Sequence, residues 1–140
     1  MNRNPPSPEA MVTDAILGNG ATSALTERWL AAVGTGVPAA VTQLYDPRAV
    51  LLPTVDPRIL VGHEAIKGYF VELFGKPGIR CVPWGVEYVQ ATGDSCVLSG
   101  NYTFAWRGGQ IPARYTFVWA FSTTHARILT HHSSAIPGKA

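Results

Sequence analysis

The last third of the chain constrains the fold most. Cys96 to Pro137 reads CVLSGNYTFAW, RGGQIP, ARYTFVWAF and STTHARILTHHSSAIP. Runs rich in β-branched and aromatic residues are separated by Gly108-Gly109 and by Ser122-Thr123-Thr124, which predicts an antiparallel meander. The last strand carries His131-His132 followed by Ser133-Ser134. A chemical site, if the chain has one, is expected to have this sheet as its floor.

The segments upstream are helical. In TSALTERWLAAV, Leu25, Trp29, Leu30 and Val33 share one side, with Thr22 or Ser23 as N-cap. Gly34-Thr35-Gly36 stops this helix and Pro38 opens a short second one, PAAVTQLY. Asp46-Pro47 reads as a break, Ala49 to Leu52 as a short strand, and GHEAIKGYFVELF as a third helix with Ile66, Tyr69, Phe70 and Leu73 on its stripe. A long strand from Ile79 to Gln90 is expected to bend at Pro83 or Gly85. Helices gathered ahead of an antiparallel sheet give an α+β class. The expected architecture is a cone: a strongly bent antiparallel sheet wrapped around the N-terminal helices, with a pocket inside. Residues 1–21 read as a flexible N-terminal segment, with a short helix over PEAMVTDAIL, and residues 22–137 as the single domain.

Of the 140 residues, 46% are hydrophobic and 14% charged, with a net charge of +2. No Lys/Arg cluster stands out, so neither a nucleic-acid partner nor a polybasic membrane patch is expected. No apolar run is long enough to span a bilayer. Cys81 and Cys96 are expected as reduced, partly buried thiols, and the N-terminus lacks an apolar signal core; both point to a cytoplasmic protein. No metal-ligand spacing is present, and neither a metal nor a cofactor is expected.

In order along the chain, LYDPRAVLLPT, GHEAIKGYF, SGNYTFAW, ARYTFVW and ILTHHSSAIP resemble the nuclear-transport-factor-2-like superfamily. The likeness is to its SnoaL-like branch, related to the calcium/calmodulin-dependent kinase II association domain, and it covers roughly residues 22 to 137. It implies the cone fold, pairing of two copies through the outer sheet face, and relatives that include polyketide cyclases, dehydratases and isomerases. Small standalone relatives occur in polyketide and enediyne biosynthesis. The chain departs from the kinase hub, which has an arginine where this chain has Asn101 and another near Phe117.

Candidate site residues follow from strand alternation. His131 and His132 point to opposite faces, so at most one looks into the cone. The inward imidazole either serves as a pocket acid or base or bonds to backbone, Ser133 or Ser134 and holds the sheet end. Asn101, mid-strand, must find partners. With a three-residue hairpin loop it lies opposite Phe117, with Tyr115 and Trp119 on the same face. These residues, with Trp29, Tyr45 and Tyr69 from the helical side, are expected to wall a pocket for a flat, apolar, conjugated ligand. The opposite face would carry Leu98, Tyr102, Phe104 and Trp106 with Arg114, Thr116, Val118 and Ala120, an apolar patch suited to a homodimer. His63 reads as an exposed helix start, and Glu87 and Asp94 have no evident partner.

Three functions compete. The first is a small-molecule-binding accessory protein, a homodimer holding a hydrophobic, polyketide- or enediyne-type metabolite. The second is a cofactor-independent cyclase, isomerase or dehydratase using His131 or His132. The third is a homo-oligomeric scaffold of the hub type.

Overall fold

The structure is a computed structural model, and it describes residues 22–138. The expected helix over PEAMVTDAIL lies outside the described residues. Helices α1 (Ala24–Gly34) and α2 (Pro38–Thr42) lead into β1 (Tyr45–Leu52), β2 (Leu60–Val61) and α3 (His63–Leu73). The long strands β3 (Arg80–Thr92), β4 (Ser95–Trp106), β5 (Gly109–Phe121) and β6 (Ala126–Ala135) follow. They form one curved, unclosed sheet of six strands in the order β2-β1-β6-β5-β4-β3. The class is α+β, as expected. No helix among the described residues is long and apolar enough to cross a membrane.

Ser23 caps α1: its hydroxyl accepts the Thr26 amide proton at 3.2 Å. The apolar stripe then buries Leu25, Trp29 and Val33, while α3 buries Ile66 and Phe70. These side chains meet the inner sheet face, where Leu98, Tyr102, Phe117, Trp119 and Ile128 are fully buried.

Two details differ from the sequence reading, and the expected bend at Gly85 is present. Asp46-Pro47 does not break the chain. β1 runs through it with an irregularity in its pairing to β6, and that pairing is parallel, so the sheet is not purely antiparallel. The bend in β3 comes at a bulge between Trp84 and Tyr88, where Gly85 has φ +73°, a conformation that side-chain-bearing residues avoid. Finally, the β4–β5 hairpin closes with the two-residue turn Arg107-Gly108, so Asn101 pairs with Arg114 and not with Phe117. The offset of three residues is odd, and an odd slip exchanges the faces of one strand relative to its neighbour. Leu98, Tyr102 and Phe104 therefore face inward and are buried. Only the β5 half of the expected outer patch lies where it was placed: Arg114, Thr116, Val118 and Ala120 stand opposite Asn101, Ser99, Val97 and Ser95.

Candidate functional site

The inward histidine is His131, 2% exposed. Its ring stacks on Phe117 at 4.0 Å and meets the edge of Trp29 at 5.3 Å. Both ring nitrogens are engaged, and because Tyr102 gives its proton to Ser133 it must accept from His131 Nε2–H, which leaves Nδ1 of the neutral ring as an acceptor. The Trp29 indole N–H can only donate, and it does so to the Tyr45 hydroxyl at 3.1 Å. That hydroxyl then directs its own proton to His131 Nδ1 at 2.8 Å. The imidazole proton sits on Nε2, which donates to the Tyr102 hydroxyl at 3.0 Å. Tyr102 donates to Ser133 Oγ at 2.6 Å, and Ser133 meets the Thr54 hydroxyl. The result is a one-way chain from Trp29 to Ser133, with the Thr54 hydroxyl hydrogen-bonded to its end.

Burial first, and the neighbouring His132 second, push the His131 pKa down to about 3, so the ring is neutral near pH 7. Burial also pushes the Tyr45 and Tyr102 hydroxyls well above their ordinary range. This chain transmits hydrogen-bond polarity; it holds no charge.

Thr54, where the chain ends, lines a cleft of about 310 Å³ at the cone mouth. Phe104, Trp106 and Ile111 come from the sheet, and Tyr69 and Leu73 from α3. Asp56, Glu72 and Lys76 add charge. The Lys76 ammonium lies 4.4 Å over the Trp106 ring centroid. Arg58 binds Asp56 at 2.7 Å and reaches Glu72 at 3.9 Å, strapping the loop after β1 to α3. Hydrogen bonds from Arg58 hold the Asp56 carboxyl down at about 2. Val55 in this loop has φ +53° and is 76% exposed. A β-branched residue there is strained by about 1–3 kcal/mol, and such strain gathers at binding loops.

Of the expected pocket residues, Tyr69 lines the cleft. Trp29, Tyr45, Tyr115, Phe117 and Trp119 lie on the expected inner side, where they are buried and pack in the core. Trp29 stacks on Tyr102 at 5.5 Å, and tilted ring pairs join Tyr102 to Tyr115 at 4.7 Å and Tyr115 to Phe117 at 5.2 Å. Asn101 and His132 are on the outer face. His63 is half-buried, and its Nε2–H donates to the Tyr45 carbonyl at 2.6 Å. Cys81 and Cys96 are buried and unpaired.

Two features escaped the sequence reading. Thr54 follows Pro53 in what looked like an ordinary turn. Glu87, which seemed partnerless, accepts hydrogen bonds from Ser23 N–H at 2.7 Å, Thr26 Oγ1 at 2.6 Å and Tyr115 Oη at 2.6 Å. It ties β3 to the start of α1, where a negative charge also suits the helix dipole. The paired hydroxyl spacing Ser23/Thr26 was a signal for a cap, but nothing local tied it to Glu87.

Residues 21–137 match the sequence model of the calcium/calmodulin dependent protein kinase II association domain. The chain belongs to that family. An association-domain protein from Xanthomonas campestris is 38% identical, with 82% of this chain and 85% of that one covered and a TM-score of 0.76. Two more distant structures share the fold. One is a nuclear-transport-factor-2-like protein with a cystatin-like fold from Novosphingobium aromaticivorans (15% identity, 84% and 80% covered, TM-score 0.68). The other, from Streptomyces avermitilis, is named a dehydratase of the nuclear-transport-factor-2-like family (14% identity, 93% and 99% covered, TM-score 0.73). A comparison with curated proteins found no match.

Proposed function

We propose that this association-domain chain is a small-molecule-binding accessory protein. Its ligand occupies the cleft between α3, the loop after β1 and the β4–β5 hairpin. The observation that carries this reading is the cleft itself: an aromatic floor of Phe104 and Trp106, a strained Val55 at its rim, and Thr54 as a polar contact whose orientation is set from behind. Such a site suits a flat, conjugated, largely apolar molecule with one hydrogen-bonding group. A polyketide- or enediyne-type biosynthetic intermediate fits that description. The two buried thiols fit a reducing compartment, which supports a cytoplasmic location.

We also propose a homodimer through the outer sheet face. The exposed Val61, Trp84, Val86 and Tyr88 support it, as does the association-domain family. Light scattering tests it: twice the chain mass is expected, a monomer refutes pairing, and a larger ring favours the scaffold reading.

The binding reading is tested by native mass spectrometry of protein purified from its native host. A retained conjugated metabolite is expected, and Trp106→Ala should lose it while remaining folded. A metabolite held equally well by Trp106→Ala would move the site elsewhere.

One observation favours a second reading, a cofactor-independent cyclase or dehydratase. The hydrogen-bonded chain from Trp29 ends on a hydroxyl at the cleft wall. In such an enzyme Thr54 would touch substrate and His131 would act as a positioning residue behind it. Turnover of the retained metabolite, lost in Thr54→Val, would establish it.

A further inference from the structure

On the outer sheet face, pairing across β4 to β6 places Asn101, Arg114 and Ser134 side by side in one row. Ser99, Thr116 and His132 form the next row. Together they floor a hollow of about 380 Å³. The β3 bulge brings Val86 and Tyr88, 64% and 68% exposed, to its wall. No residue lining the hollow is acidic. Glu87, although part of the same bulge, turns through the sheet to α1 and Tyr115. The ion pairs among the described residues involve Arg48 and Arg58, so Arg114 makes none there. Ser99 and Thr116 satisfy each other at 3.2 Å, while the donors of Asn101, Arg114 and His132 are left unengaged among the described residues.

We infer that this hollow binds a small organic carboxylate, anchored by Arg114. A guanidinium presents a planar fork that matches a carboxylate, and the Asn101 amide directly across the strand pair adds another donor. A single cation without a competing carboxylate calls for a monoanion. Val86 and Tyr88 offer an apolar wall, which calls for an apolar body behind the charged group. This gives Asn101, a polar residue in mid-sheet, the partner that the inner face does not supply. The site lies on the opposite side of the sheet from the cleft and does not depend on it. In a pair formed through this face, the bound anion would neutralise Arg114 in the seam.

The test is a titration of the full chain with sodium benzoate, followed by backbone amide NMR, beside parallel titrations with benzyl alcohol and sodium sulfate. Saturable shifts are expected at Thr116, His132 and Ser134, with little response to benzyl alcohol and weaker binding of sulfate. Arg114→Ala should weaken benzoate by about tenfold or more, because a charged hydrogen-bonded pair is lost. Arg114→Lys should retain part of the affinity. Four results would each overturn the proposal: no saturable shift, unchanged affinity in Arg114→Ala, equal binding of benzyl alcohol or sulfate, or shifts confined to Thr54, Tyr69 and Trp106 in the cleft.

Discussion

His131 and His132 are neighbours in the chain, yet the sheet puts them in opposite physical regimes. His131 has both nitrogens bonded to tyrosine hydroxyls, lies against Phe117 and is sealed from water. His132 is exposed and stands in a hollow beside Arg114, which makes no ion pair among the described residues. The first is a structural polar group whose reach extends only through its hydrogen bonds, to Thr54 and the cleft. The second has unspent bonding capacity. A histidine in a family fold is thus read by what remains unsatisfied around it, and here the satisfied one orients and the open one is free to bind.

The sharpest way to break this contrast is a pair of substitutions. His131→Leu should destabilise by about 3–5 kcal/mol, since it strands the Tyr45 and Tyr102 hydroxyls in the core and disturbs the packing on Phe117. His132→Leu should stay within about 0.5 kcal/mol. Urea denaturation of both variants measures the difference, and equal costs would erase the distinction.

Acid gives the next largest effect. The folded His131 pKa is depressed to about 3 from an ordinary 6.5. Below 6.5 the unfolded chain therefore takes up a proton that the folded chain refuses. Stability from this residue is complete above pH 6.5 and is lost as pH falls toward 3, on the order of 3 kcal/mol by pH 4. The slope of stability against pH over this window should flatten in His131→Gln and persist in His132→Gln.

Glu87 offers a smaller test on the same inner face. Glu87→Ala should cost about 1–3 kcal/mol, because it leaves the Ser23 amide and the Thr26 and Tyr115 hydroxyls without their acceptor. Hydrogen exchange should show the loss concentrated at the start of α1. A cost confined to β3 would mean that Glu87 does not hold the helix.

The helices were legible because their signals are local. The stripe of Leu25, Trp29 and Val33 lies within a few turns, and Gly34 to Pro38 punctuate it. The four long strands and the bend near Gly85 were legible for the same reason. The face of β4 was not, since RGGQ admits turns of two or three residues and the choice decides whether Tyr102 or Asn101 enters the core. Nor did anything local announce the parallel pairing of β1 with β6, which brings Leu51 beside His131 across most of the chain. The candidate site suffered most from this. Trp29, Tyr45, Tyr115, Phe117 and Trp119 lie on the inner side, but whether such residues wall a space or fill it depends on packing. Thr54 meets Ser133 from 79 residues away, and Glu87 meets Ser23, Thr26 and Tyr115 from 64, 61 and 28 residues away.

The most direct test of the sealed inner face is the protonation and tautomer of His131, read from long-range ¹H–¹⁵N NMR as pH is lowered. The donation of Tyr102 to Ser133 requires a neutral ring with its proton on Nε2, unchanged from pH 8 to about pH 4.5 while the protein stays folded. A ring that carries its proton on Nδ1, or that takes up a second proton near pH 6.5, would contradict the one-way chain and the closed core on which the account rests.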